Sequence, residues 1–338
     1  MDTTHLPAMP GDAAAGVSPR SFHVVLNAKA GSAEDGGETI CAAIESGLKA
    51  IGAASVTIDA DRGSPFEERI RRAIESDAEI VVSAGGDGTA TALATAIIEA
   101  EARTGKTLAV LPLGTANLLA RDLEIPLDLD EAIAAIGLMQ PRQIDVGMVN
   151  GRIFLHKVVI GFAPAVAAKR EELRSHRDLK SIARFLRYFL SRLAKPPHHR
   201  LSLRLDDGPQ EEIKVRALAI ANNAYDEGLG RFFSRARLDR GHLTVYALKH
   251  LTLSDVLRLS TGMMIGRWRK DEALSEREAM RVDVRTRHDK RVRVMIDGEV
   301  MKLGSPLRFE IHPGALRVLA PLAIEAASAT RATSEVAA

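Results

Sequence analysis

One stretch narrows the possibilities more than any other: Val81-Val82-Ser83-Ala84-Gly85-Gly86-Asp87-Gly88-Thr89, followed by a run rich in Ala and Ile. An apolar strand halts there, three glycines fall within four residues, and a helix begins. Glycine adopts φ > 0 without a Cβ penalty. Such a loop brings backbone N–H groups close to an anion, and the helix N-terminus adds a partial positive charge. In open parallel sheets ligands sit at strand ends of this kind. The plain structural reading of the same residues is a tight strand-to-helix turn with Thr89 as its N-cap, and the loop alone does not separate the two.

The neighbouring segments decide what kind of sheet this is. Phe22–Leu26, Ala54–Ile58, Glu79–Ser83 and Thr107–Leu111 read as strands. Between them lie helical patterns over residues 35–50, from Pro65 to Ile74, and over Thr89–Arg103. Strands alternating with helices imply right-handed crossovers and a parallel sheet covered on both faces. A second glycine-bearing loop, Leu111-Pro112-Leu113-Gly114-Thr115-Ala116-Asn117, follows the next strand, and Asn27-Ala28-Lys29-Ala30-Gly31-Ser32 follows the first. Loops after parallel strands share one edge, so all three face one crevice. Two lookalikes fall away. Gly105-Lys106-Thr107 lacks the earlier P-loop glycine, its place being taken by Ala100, and Gly86-Asp87-Gly88 has Thr91 where a dinucleotide fingerprint needs its third glycine.

After about residue 143 the pattern changes. Gln143–Val149 and Arg152–Val159 flank Asn150-Gly151, a strong hairpin signal. Short strand-like runs follow at Leu201–Leu205, Val215–Ala221, Leu243–Leu248, Ala279–Thr286, Val292–Ile296, Val300–Leu303, Leu307–Ile311 and Leu316–Leu319. The expected fold class is therefore α/β plus β: an N-terminal parallel-sheet, Rossmann-like nucleotide domain and a C-terminal antiparallel, β-sandwich-like domain. The expected divisions are a tail at 1–20, an α/β domain at 21–145, a β-rich domain at 146–322 and a tail at 323–338. Return of the last strands to the first domain is left open.

Composition agrees with two domains: 338 residues, 46 Lys+Arg against 44 Asp+Glu, and 46% hydrophobic residues. Charge so near balance argues against a globally basic nucleic-acid binder. The lone Cys41 makes no internal disulfide and excludes a thiolate zinc cluster. The uncharged run Thr107–Ala120 is too short and too broken to span a bilayer. With no charged n-region or apolar h-region in Met1–Ser18, the expected location is cytoplasmic.

Taken together, Gly85-Gly86-Asp87-Gly88-Thr89, Leu113-Gly114-Thr115-Ala116-Asn117 and Asp297-Gly298-Glu299 resemble the diacylglycerol kinase catalytic-domain family, the bacterial lipid kinases related to sphingosine and ceramide kinases. The resemblance covers roughly residues 22 to 320. It implies an ATP site made by Asn27, Gly31, Ser32, Gly85, Gly86, Asp87, Gly88, Thr89, Gly114, Thr115 and Asn117. It also implies catalytic roles for Glu299, as base toward a lipid hydroxyl, and for Asp87, in organising Mg²⁺ and phosphates. Bottom-up, Asp297-Gly298 reads as a hairpin turn between Val292–Ile296 and Val300–Leu303, one able to present Glu299 to the crevice. Departures are visible. Ala28 and Ala30 replace a proline and a serine of the family loop, and Leu118 replaces a frequent aspartate. The D-D-G turn, often a structural magnesium site in the family, is here Asp239-Arg240-Gly241.

Residues 177–195 form an amphipathic helical pattern. Leu179, Ile182, Phe185, Leu186, Phe189, Leu190 and Leu193 fall on one side, with Arg and Lys on the other. Residues 165–200 hold ten Lys/Arg and three acidic residues, suited either to covering a sheet or to lying on an anionic membrane surface. Met263, Met264, Ile265 and Trp268 form a smaller apolar patch, expected to pack in the core. Asn222-Asn223-Ala224-Tyr225 ends a strand and either lines the acceptor cleft or is a polar strand terminus. The expectation is an ATP- and Mg²⁺-dependent lipid kinase, peripheral at the inner membrane face, without nucleic-acid partners. Its oligomeric state is open, a homodimer included. The rival expectations are a kinase of a soluble acceptor, as in NAD kinases, and a non-catalytic nucleotide- or lipid-binding relative.

Overall fold

Four parallel strands organise the first half of the chain in the computed structural model, which describes residues 20–27, 37–61, 63–161, 198–227, 234–250, 252–269, 271–287 and 290–322. β1 (Ser21–Leu26), β2 (Ser55–Asp59), β3 (Ile80–Gly85) and β4 (Thr107–Pro112) stand in the order β2-β1-β3-β4. β3 and β4 are buried along their whole lengths, which is why they read as continuous apolar runs rather than alternating ones. The crossovers are α1 (Gly37–Ala50), α2 (Phe66–Glu75) and α3 (Asp87–Thr104). The first crossover moves outward and the next two move back, so right-handedness places α1 on one face and α2 with α3 on the other. Accordingly α1 packs with α5 (Leu129–Ile136), and α2 with α3.

Pro65 is the N-cap of α2, a place where its missing N–H costs no hydrogen bond. The helix turns Arg69 inward, 5% exposed. Arg69 donates to the carbonyls of Leu26 and Asp59 and, through Nε, to the Asp59 carboxylate at 3.1 Å. One guanidinium thus ties together the ends of β1 and β2, next to Asn27.

The second half is antiparallel. β16 (Leu307–Ala320) runs parallel to β4 but antiparallel to β5 (Gln140–Val149) and β13 (Arg281–Thr286). The sheet continues through β8 (His199–Leu205) and β9 (Glu211–Val215), while β6 (Arg152–Phe154) pairs with β5. A second sheet has the order β12 (Leu274–Ala279), β11 (Leu243–Leu248), β10 (Ala217–Asn222), β7 (Lys157–Gly161), β14 (Arg291–Ile296), β15 (Glu299–Gly304). The two sheets enclose a core in which Ile160, Ile220 and Val245 meet Leu203, Val284 and Phe309. β16 serves both cores, with Leu307 and Phe309 in this one and Leu316 and Val318 in the α/β core. Its register shifts between His312 and Leu316, and Gly314 there takes φ 62°. Asp145 on β5 accepts the Gly314 amide at 2.9 Å.

Several expectations need correction. Arg152–Val159 is two strands, not one, because the amides of Leu155 and His156 turn to the Asp297 carboxylate. Ala279–Thr286 breaks at Met280, where Asp206 takes the amides of Met280 and Arg281. Leu307–Ile311 and Leu316–Leu319 are halves of β16. α3 begins at Asp87, so Thr89 lies inside its first turn and is not the N-cap. Trp268 is buried against Tyr246, yet Met264 and Ile265, at and beyond the end of α6 (Leu253–Met264), are exposed. Asn222 to Tyr225 are all buried. Residues 1–19, 323–338 and the amphipathic segment 177–195 lie outside the described residues.

The ring of Phe154, fully buried and edge-on to Phe309 at 6.3 Å, covers the Cα of Gly147. A methyl at Gly147 would clash severely with the nearest carbon of that ring. Gly147→Ala should therefore lower unfolding free energy by about 1–3 kcal/mol, read as a shifted urea midpoint at constant m-value.

Candidate active site

β3 and β4 pair in register from Ile80↔Thr107 to Gly85↔Pro112, so their loops leave the sheet side by side. Only Gly86 separates β3 from α3. Its carbonyl accepts from the amides of Thr89 at 3.0 Å and Ala90 at 3.1 Å, closing the first helical turn. Thr89 is buried, and its hydroxyl accepts from Asn27 Nδ2 at 2.9 Å. A Cβ on Gly85 would come 2.5 Å from that hydroxyl. Asn27, Gly85 and Thr89 therefore form one locked corner.

The second loop packs on the first by backbone. A Cβ on Gly114 would lie 2.5 Å from the Gly86 Cα, so only glycine permits this approach. Asn117, left-handed at φ 49° and buried, holds the loop from within. Its Oδ1 accepts from the Gly114 amide at 3.0 Å, and its Nδ2 donates to the carbonyls of Gly114 and Pro112 at 2.8 and 3.3 Å. Asp87 Oδ1 accepts from the amides of Leu118 at 2.6 Å and Leu119 at 3.4 Å. It thereby caps α4 (Leu118–Asp122), against the burial that pushes its carboxyl pKa up. Asn27, Asp87, Thr89 and Asn117 thus hold the loops to one another. Gly88 and Thr115 are exposed at the surface so formed. Gly31 and Ser32 lie outside the described residues.

The late motif reaches the same place. Asp297 and Gly298 take φ 45° and 98°, the two positive values of a type I′ hairpin. The Asp297 carboxylate accepts three amides, from Leu155 at 2.7 Å, His156 at 2.9 Å and Lys157 at 2.8 Å. Anchored in this way, the turn presents Glu299 to solvent at the start of α3. A Cβ on Gly88 would lie 3.0 Å from Glu299 Oε1. Beside it a cleft of about 560 Å³ runs along α3, lined by Thr91, Thr95, Arg152, Ile153, Ile296 and Met301 among others.

The Asp239-Arg240-Gly241 turn does not fit a divalent cation. Arg240 Nη2 donates to Asp226 at 3.2 Å, while Asp239 pairs with Arg237 at 3.3 Å and Arg142 at 3.6 Å. Guanidinium groups stand where a metal would need carboxylates. Among the described residues no group of three or more His, Cys, Asp or Glu converges to hold a metal. A Mg²⁺ ion arriving with a nucleotide would be a different matter, since phosphate oxygens and water would supply many of its ligands.

Three residues central to this arrangement escaped the sequence reading: Asp145, Asp122 and Arg235. Asp145 left a signal, a lone carboxylate within the buried stretch Ile144–Gly147 of β5. Asp122 and Arg235 left none, because each makes sense only beside the other.

Residues 21–149 match the diacylglycerol kinase catalytic domain, and residues 157–320 match the YegS C-terminal NAD kinase beta sandwich-like domain. A "Probable lipid kinase YegS-like" protein of Pseudomonas aeruginosa (strain UCBPP-PA14) is 34% identical over 259 residues, covering 75% of this chain and 80% of that protein. The chain belongs to the diacylglycerol kinase catalytic-domain family of lipid kinases. A diacylglycerol kinase of Staphylococcus saprophyticus is 25% identical over 232 residues, 68% of this chain and 72% of its own length. The fold also matches a crystal structure of a diacylglycerol kinase from Bacillus anthracis str. Sterne, with TM-score 0.67 at 18% identity, covering 91% of this chain and all of that one. Membership of a kinase family implies use of ATP. No helix among the described residues is long and apolar enough to cross a membrane.

Gly114→Ala must push the two glycine loops apart. ATP affinity measured by calorimetry should fall by about tenfold or more, with a loss of about 1–3 kcal/mol in stability.

Proposed function

We propose that this chain transfers the γ-phosphoryl group of ATP to the hydroxyl of a diacylglycerol-like or sphingoid lipid. The observation that carries the proposal is Glu299: a solvent-accessible carboxylate from the second half of the chain, lying against Gly88 in the glycine loop of the first. Phosphoryl transfer asks little covalent chemistry of a protein; it needs an aligned hydroxyl, a base beside it, and donors around the phosphate oxygens. The exposed backbone at Gly88 and the Thr115 hydroxyl would hold the phosphates. Glu299 would accept the proton of the attacking hydroxyl. The cleft along α3 offers the acceptor an apolar wall, Ile153, Ile296 and Met301, opposite the threonines Thr91 and Thr95.

Mg²⁺ bound with the nucleotide would supply charge neutralisation at the phosphates. Asp87 is the carboxylate that these loops contribute toward it. Its Oδ1 is already engaged at the head of α4. We further place the acceptor at an anionic membrane surface, with residues 177–195 as the contact. The NAD kinase-like character of the second domain favours one other reading, a water-soluble acceptor.

The test is radiolabelled ATP against a lipid panel in mixed micelles, with Glu299→Gln alongside. The wild type should label a lipid hydroxyl. The variant should lose about 10²–10⁴-fold in kcat while binding ATP within about twofold of wild type. Equal turnover of a soluble alcohol with no lipid interface present would favour the soluble-acceptor reading instead.

A further inference from the structure

The largest fully buried side chain in the described residues is charged: Arg235, on the loop before β11. Its side chain has no exposed surface, and that of its partner Asp122 is 2% exposed. The Asp122 carboxylate receives three bonds from Arg235: Nε at 3.2 Å, Nη2 at 2.5 Å and the backbone amide at 3.2 Å. The other guanidinium nitrogen, Nη1, donates to the carbonyls of Leu155, at 3.0 Å, and Asn222. The pair spans two domains, because Asp122 closes α4 on one side while Leu155 and Asn222 belong to the β-rich half.

Both ends of this bridge lead into the site. α4 begins at the amides capped by Asp87 of the glycine loop. On the far side, Leu155 has its carbonyl on Arg235 and its amide on Asp297. Asn222 reinforces the same carbonyl at 3.2 Å and also holds the Asp145 carbonyl at 2.8 Å. An unbroken polar chain therefore runs from Asp87 through α4, Asp122, Arg235 and Leu155 to Asp297, two residues before Glu299. His156 flanks it, 3.8 Å from Asp122 and bonded to the Tyr225 hydroxyl at 3.2 Å. Stability alone does not account for such a pair, since burying both charges costs about as much as their attraction returns, and apolar residues of similar volume often serve as well.

We infer that Arg235 is a positioning residue: with Asp122 it transmits the placement of the phosphate loops to the Asp297–Glu299 turn, and so sets where the Glu299 carboxylate stands. The inference rests on the proposed kinase reaction, in which a displacement of about 1 Å can cost about 100-fold in rate. Arg235 itself touches no reacting atom. Its effect belongs in kcat rather than in the nucleotide KM.

The experiment uses the full chain and replaces both partners with apolar residues of similar size, Asp122→Leu with Arg235→Met. Removing one partner alone would strand a buried charge. The double variant should melt within a few degrees of wild type, lose about 10- to 100-fold in kcat, and keep its ATP KM within about twofold. Amide hydrogen exchange at residues 296–300 should quicken. A double variant with wild-type kcat and wild-type exchange there would overturn the inference, leaving the pair as filler. If the double variant does not fold, Arg235→Lys is judged by the same measurements: it keeps the charge but loses the fork that reaches two carbonyls and a carboxylate together. If the wild type transfers phosphate to nothing, the kinase reading has failed on its own account. Exchange at 296–300 then decides the positioning claim alone.

Discussion

A single strand couples everything in this molecule. β16 gives Leu316 and Val318 to the α/β core and Leu307 and Phe309 to the sandwich core. It runs beside β4, whose far end carries the Gly114 loop, and beside β13 of the second half. A continuous strand is stiff along its length, so the two halves hold a fixed relation that a flexible linker could not impose. The break in its register is where such a strand would be weakest. Asp145 stands there, taking the Gly314 amide on Oδ1 and the Gly241 amide on Oδ2 at 2.7 Å. One carboxylate thus holds the bulge and the loop that follows Arg235.

Around that frame, the site separates residues that build from residues that face outward. Glycine serves both purposes. Gly85 and Gly114 are small because Thr89 and Gly86 press against them, which concerns packing. Gly88 is small at the surface where Glu299 arrives. The polar residues divide likewise, with Asn27, Thr89 and Asn117 turned inward and Thr115 and Glu299 outward. This division follows from buried polar groups needing partners. A loop that exposes its backbone to a ligand must satisfy the rest of itself internally, and the Asn117 amide does so with three bonds between Pro112 and itself.

Much of the fold was legible in the sequence because its signals are local. Fully buried parallel strands give apolar runs, and Asn150-Gly151 and Asp297-Gly298 write their positive φ values into residue type. The glycine loops were legible for the same reason. Failures came where a distant carboxylate captured backbone amides. Asp297 divides β6 from β7, and Asp206 divides β12 from β13. No periodicity encodes a break imposed from 74 residues away, as by Asp206, or from 142, as by Asp297. Asn117 shows what residue type does not convey: the side chain is buried and left-handed, and its amide is bonded within its own loop.

Two departures from the family pattern, Leu118 and Arg240, bear on whether such a site can work. The cap on α4 uses the Leu118 backbone amide, not its side chain, so leucine in place of aspartate leaves that contact intact. It also spares the region a further negative charge, where Asp87, Asp122 and Asp297 already lie near one another and Arg235 offsets only part of their sum. Arg240 makes a comparable exchange. A loop clamped by a divalent ion is held only as far as the ion's concentration exceeds its dissociation constant. A guanidinium joined to the chain and paired with Asp226 has no such dependence. In this chain the clamp behind the site is covalent to the protein.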